Sequence, residues 1–208
     1  FPFLIANLGT NNYSDKIKPF TIVPVSGIQI GIIGIIPHKL YETVLEQNRK
    51  GFSVLPEIET LNHWIPIMKK EGAEVIVVLT SLGIPWDRDE VYTEFLDSLK
   101  TGSSSKYDIN NALELGYFSE EVDFIISGGV SKGYPTIWYD SHSHVFITQN
   151  YGNGTEFGHL LLHIDKGSHQ FVKYETAVDG RIGQTMLADD FVSEPKMSQW
   201  IRTNASIA

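Results

Sequence analysis

Val75-Ile76-Val77-Val78-Leu79 is apolar at every position, and Phe124-Ile125-Ile126 repeats the pattern. A strand with one wet face alternates apolar and polar residues, so a run without alternation reads as a central strand covered by helices on both faces. Other β-branched runs bounded by Gly, Pro or Asn predict strands over 3–7, 20–25, 28–36, 145–150, 159–164 and 171–176, beside those at 75–80 and 123–127. The sheet these strands build is the frame into which everything else must fit.

Between the strands the apolar period lengthens. Pro56 at a first turn, Glu57 and Glu59 near the positive end, and Lys69 and Lys70 near the negative end frame a helix that Gly72 stops. Ile58, Leu61, Ile65 and Met68 share its apolar face, and Pro66 is expected to bend it or start a second piece. A further helix is predicted over 89–100, with Val91, Phe95 and Leu99 on one face. A shorter one follows over 108–115, after the flexible Gly102-Ser103-Ser104-Ser105 stretch. From Val145 onward the pattern is that of hairpins, with Asn153-Gly154 and Lys166-Gly167 as turn signals and 159–164 set to pair with 171–176. The expectation is an α/β fold of stacked mixed β-sheets flanked by helices, one domain over 1–192, with 193–208 as a linker or C-terminal helix.

A formal net charge of −9 makes the average surface repel phosphate backbones, so a nucleic-acid polymer is not expected as a partner. The chain has no cysteine, which removes disulfides, thiolate chemistry and Cys-based zinc sites together. Its longest apolar stretch, 28–37, is interrupted by Gly31 and Gly34 and closed by Pro37, well short of the roughly 20 residues a bilayer span needs. The opening Phe-Pro-Phe-Leu has no initiator methionine and no charged-then-apolar leader, and reads as a piece of something longer.

Three ordered segments carry a specific likeness. Phe1-Pro2-Phe3-Leu4-Ile5-Ala6-Asn7 resembles the FPxLxAN strand of the 5′-nucleotidase branch of the calcineurin-like metallophosphoesterases, and Gly27 to Gly34 matches the strand that follows it. Met68 to Gly83 is similar to that family's helix, G-A-D, buried strand and L-T-H-x-G unit. Val122-Asp123-Phe124-Ile125-Ile126-Ser127-Gly128-Gly129 resembles its V-D-x-I-x-G-G-H-S-H strand and turn, and Ile147-Thr148-Gln149 with Gly152 and Gly158 resembles what comes after. The likeness spans residues 1 to 177. It implies an αββα sandwich, incomplete here at its N-terminus, two divalent metal ions at the strand ends, phosphoester hydrolysis and a periplasmic or extracellular location.

Hydrolysis of that kind needs His, Asn and carboxylate ligands converging on two cations that activate water and neutralise phosphoryl oxygens. The resemblance places the family's D-x-H and G-N-H-E ligands before the FPxLxAN strand. Its L-T-H-x-G histidine falls on Ser81, a poor divalent-ion ligand beside imidazole. The two histidines of G-H-S-H fall on Val130 and Lys132, or in the other register on Gly129 and Ser131. Neither register restores an imidazole, so no metal and no catalytic residue is expected here. The implied role is a non-catalytic binding or assembly module, for which a small phosphorylated ligand and a protein partner both stay open. The alternative is a metal-dependent phosphoester hydrolase that uses ligands from outside the chain.

Other chemistry-bearing residues have plainer readings. On a strand, Asp140, His142 and His144 would share one face and offer a carboxylate and two imidazoles, although an exposed polar edge beside Tyr139 explains the same residues. His159 and His163 read as sheet histidines, while His38, His63 and His169 stand alone. Gly31 and Gly34 lack the rest of a dinucleotide fingerprint, and Ser81 lacks a G-x-S-x-G elbow. Trp86, Tyr92, Phe95, Tyr134, Trp138 and Tyr139 read as packing or as the wall of a groove. Sequons at Asn12, Asn153 and Asn204 carry no weight on location.

Overall fold

The structure is a computed structural model that describes residues 2–9, 16–39, 44–165, 167–168, 171–176, 180–185 and 194–204. The strands are β1 (Phe3–Leu4), β2 (Leu8–Gly9), β3 (Ile17–Lys18), β4 (Phe20–Val25), β5 (Ile28–Ile35), β6 (Ser53–Val54) and β7 (Val75–Thr80). After them come β8 (Phe124–Ser127), β9 (Trp138–Tyr139), β10 (Phe146–Gln149), β11 (Glu156–Gly158), β12 (Leu160–Ile164), β13 (Phe171–Thr176) and β14 (Gly183–Thr185). Among the described residues the α-helices are α1 (Glu57–Lys70), α2 (Arg88–Thr101), α3 (Ala112–Phe118) and α4 (Pro195–Asn204), with a short 3₁₀ helix at Glu46–Asn48.

Six strands form one sheet in the order β4-β5-β7-β8-β10-β9. β5, β7, β8 and β10 run parallel, and the edge strands β4 and β9 run antiparallel to their neighbours. The register aligns Ile35, Thr80, Ser127 and Gln149 in one row across the four parallel strands, so their C-terminal ends make a single rim. Rims of this kind collect ligand sites because the loops leaving them converge.

One face of the sheet is covered by helices. Ile58, Leu61, Ile65 and Met68 of α1 and Leu113 and Leu115 of α3 pack with Ile76, Val78, Ile125 and Ile147 in one core. Burial of each large aliphatic side chain there contributes about 1.5–3 kcal/mol. The other face is a correction to the expectation of helices on both sides. Val75, Val77 and Phe124 meet Leu162, Ile164 and Phe171 of the β12–β13 hairpin. A hairpin with apolar inward side chains satisfies the same burial requirement as a helix, which is why the non-alternating run could not tell the two apart.

Local details differ from or add to the expectations. α1 continues through Pro66 as one helix; Pro66 and Asn62, whose carbonyl loses its amide partner, are both exposed, so water can serve that oxygen. The helix expected over 108–115 begins instead at Ala112, because Asn111 caps it by accepting from the amides of Leu113 and Glu114. The strand expected over 3–7 pairs only at Phe3–Leu4, and the Gly102–Ser105 stretch opens with Gly102 as a left-handed helix cap. Among the described residues no helix is long and apolar enough to cross a membrane. Phe1, Lys166, His169, Ser193, the Asn12 sequon and the last residues of the Asn204 sequon lie outside the described residues.

Candidate functional site at the strand ends

Asn7, fully buried, ties the start of the chain to the rim. Its amide group donates to the carbonyls of Ile36 (2.6 Å) and Leu55 (3.1 Å), while its oxygen accepts from the Ile36 amide (3.0 Å). Those bonds take the place of strand pairing and explain why residues 6 and 7 form a turn.

Gln149 is the second tie. At 1% exposure it accepts from the Ile84 amide and from the Ser127 hydroxyl, both at 2.8 Å, and donates to the Lys132 carbonyl. One side chain thus joins the loop after β7, the end of β8 and the loop after β8. The Leu82 carbonyl also lies within hydrogen-bond reach of the Ser127 hydroxyl, whose single proton is shared between it and Gln149.

The degenerate ligand positions of the sequence reading meet on this rim. Ser81 is the exposed first residue after β7. Its carbonyl oxygen would lie 2.0 Å from any Cβ placed on Gly129, whose φ of 89° is left-handed, so only glycine suits that position. Val130 packs against Gly83, where a Cβ would meet its side chain at 2.5 Å. The Ser131 carbonyl accepts from the Gly152 amide at 2.9 Å. Lys132 points its ammonium to the Trp86 carbonyl at 2.5 Å, with the rings of Trp86 and Tyr134 at 5.2 and 4.9 Å. Arg88 lies over the same Tyr134 ring at 4.4 Å, and Trp86 is 62% exposed, so part of the aromatic set does line an open rim. Tyr92, Phe95 and Trp138 pack on one another inside.

Asp140, His142 and His144 do not share a strand face. Only Trp138–Tyr139 pairs, and 141–143 is a turn. Asp140, 1% exposed, causes this: one carboxylate oxygen accepts from the amides of His142 (2.9 Å) and Ser143 (2.8 Å) and from the Ser143 hydroxyl (3.1 Å), and the other from the Tyr92 hydroxyl. His142 stacks on Tyr117 at 4.2 Å, and His144 meets the Tyr139 hydroxyl at 2.7 Å. The burial and the carboxylate beside it push the Tyr92 phenol far above its ordinary value. Among the described residues no three His, Asp or Glu side chains gather where they could hold a metal ion.

Two residues had no signal in the sequence. His38, expected to stand alone, pairs through Nδ1 with Glu57 at 2.8 Å, and Glu57 also accepts the His38 amide at 2.8 Å. Glu57 is 1% exposed, and the nineteen-residue separation hides the pair from any local motif. His63 is likewise not alone, lying edge-on to Trp64 at 4.9 Å. His163 lies 3.2 Å from Glu175 on the β12–β13 ladder, as the reading of a sheet histidine implies. Near α3, burial raises the Glu114 carboxyl above its usual range against the lowering effect of its bonds to Asn110.

No family model matches the chain. Over 184 residues it is 24% identical to the cell wall protein Lmo0130 of Listeria monocytogenes, covering 81% of this chain and 20% of that protein. Over 149 residues it is 28% identical to the trifunctional nucleotide phosphoesterase protein YfkN of Bacillus subtilis, covering 67% of this chain and 9% of that one. The solved calcineurin-like phosphoesterase YfkN superposes on the whole chain with a TM-score of 0.64 at 20% identity, over 62% of the solved chain. A 5′-nucleotidase precursor from Thermus thermophilus does so with a TM-score of 0.66 at 18% identity, over 38% of its length. The chain has the metallophosphoesterase fold. It spans a fifth or less of the length of the curated relatives it matches. On this fold, the rim bearing Ser81 and Gly129–Lys132 is the place where the sequence motifs locate the family's downstream ligands. Ser81, Val130 and Lys132 present a hydroxyl, an isopropyl and an ammonium group there, and no imidazole.

Proposed function

We propose that this metallophosphoesterase-fold chain is a non-catalytic binding or assembly module at the cell surface, its dinuclear centre lost. The observation that carries the reading is the rim itself, where hydroxyl, isopropyl and ammonium groups stand at the motif positions of three imidazoles. Gly129 has no room for a Cβ, which supports the register that puts the lost histidines at Val130 and Lys132. An ammonium at such a spot opposes a cation and attracts an anion. With one N–H on the Trp86 carbonyl, Lys132 keeps two donors, and a small phosphorylated ligand is the class this favours. Likeness to a Listeria cell wall protein supports the surface location, and residues 1–192 are read as one module.

The test uses the intact protein. After incubation with Mn²⁺ or Zn²⁺ and gel filtration, elemental analysis is expected to find no pair of cations assigned to this module, and p-nitrophenyl phosphate turnover is expected to stay at the metal-free rate. Metal-dependent turnover that disappears in Lys132→Glu protein overturns the reading and establishes the hydrolase alternative.

A further inference from the structure

At the opposite end of the sheet, where the parallel strands begin, Asp123, Tyr139, His144, Phe146 and Phe171 line a cavity of about 330 Å³. The strand register explains the wall: Phe124, Phe146 and Tyr139 stand side by side across β8, β10 and β9. Phe146 lies 4.8 Å from both Tyr139 and Phe171, its plane tilted by 38° and 59° to theirs, and Phe171 meets Phe124 edge-on at 5.2 Å. The hydroxyl of Tyr139 is held by His144 at 2.7 Å, a residue with a left-handed φ of 64°. That contact fixes the ring at the mouth, where Tyr139 is 47% exposed.

Asp123 supplies the charge. Its Oδ2 accepts from the Ile76 amide at 2.8 Å, which leaves the other oxygen without a donor among the described residues. The ammonium that acts on it, Lys69, is itself paired with Glu121 at 2.7 Å. Burial pushes the Asp123 carboxyl above the usual carboxylate range, against the opposing pull of the Ile76 amide and Lys69. A half-buried carboxylate with one oxygen left without a hydrogen-bond donor, in a cavity walled by aromatic rings, is a combination that recognises alkylammonium groups. An anion would be repelled by Asp123, and a neutral apolar guest would gain from the rings alone. The chain's net charge of −9 adds a field of the same sense.

We propose that this cavity binds a small organic ammonium cation, its charge against Asp123 and its carbon substituents on Tyr139 and Phe171. The inference is independent of the state of the strand-end rim. Choline chloride and its neutral carbon isostere, dimethylbutanol, are titrated into the intact protein by calorimetry and by saturation-transfer NMR. Choline is expected to bind about ten-fold more tightly than the isostere. Asp123→Asn, which keeps an oxygen for the Ile76 amide, is expected to abolish that preference, and Tyr139→Leu to weaken choline about three-fold or more. Equal binding of the two compounds, no choline binding up to tens of millimolar, or an unchanged preference in Asp123→Asn overturns the proposal. Should Asp123→Asn fail to fold, Tyr139→Leu at the half-exposed mouth decides, and undiminished choline affinity there refutes the site.

Discussion

Replacing Gln149 by Leu removes the tie that joins two loops and the end of β8, and the structure allows its cost to be worked out. Ile84 is 1% exposed and its amide has Gln149 as its acceptor, and the Lys132 carbonyl loses its donor. The Ser127 hydroxyl keeps the Leu82 carbonyl, so it contributes little to the loss. Each buried group left unpaired costs about 1–3 kcal/mol, and the Leu side chain recovers a fraction through apolar contact, so the expected destabilisation is about 2–4 kcal/mol. For a domain of this size that corresponds to a fall in Tm of roughly 4–16 °C. Urea unfolding gives the free energy, and hydrogen exchange of the Ile84 amide locates it. Gln149→Glu serves as the control, because it keeps the acceptor but sets a carboxylate oxygen against the Lys132 carbonyl. Burial and that contact favour its protonated form in the folded state, so its deficit should shrink as pH falls toward the acid range. A loss below about 1 kcal/mol in Gln149→Leu, with Ile84 exchange unchanged, would refute the claim that this side chain holds the rim together.

Asp140→Ala leaves the Tyr92 hydroxyl and the His142 and Ser143 amides without their acceptor, and should cost about 2–4 kcal/mol in thermal unfolding. Since the Tyr92 phenol is raised in the folded state, the unfolded chain loses its proton first. Wild-type stability should therefore be unaffected by Tyr92 at neutral pH and fall as pH rises past the ordinary phenol value of about 10, a loss that ultraviolet titration of tyrosinate would follow. Burial likewise raises the Glu114 carboxyl, so that group's contribution is fully present below the ordinary glutamate value and lost as pH rises through the folded one. Glu114→Gln should flatten the profile just above the ordinary glutamate value, and an unchanged slope there would contradict it.

The central strands were legible because burial leaves a mark that no neighbour can erase. The Val75–Thr80 strand and the Phe20–Val25 and Phe171–Thr176 strands fall where the apolar, β-branched runs place them, and the β12–β13 pairing follows the hairpin pattern. Degenerate ligand positions at Ser81, Val130 and Lys132 are a proposal that rests on motif alignment alone, which needs residue types and no coordinates. Asp140–His144 was misread because a strand and an Asx turn have the same composition, and what separates them is the Tyr92 hydroxyl, forty-eight residues away. No periodicity could reveal the second oxygen's partner.

Residue type and local spacing thus determine, without any fold, which segments must be buried and which side chains the recognisable motifs carry. They are short-range properties of the chain. What covers the second sheet face, which buried carboxylate meets His38, and how Gln149 joins two loops to the end of β8 depend on contacts between segments far apart in sequence. The same holds for Asp123, which reads as one more polar residue before a strand. Its unneutralised oxygen and its aromatic wall exist only once β8, β9, β10 and the β12–β13 hairpin are brought together, because desolvation and ring packing are properties of a closed surface and not of a sequence.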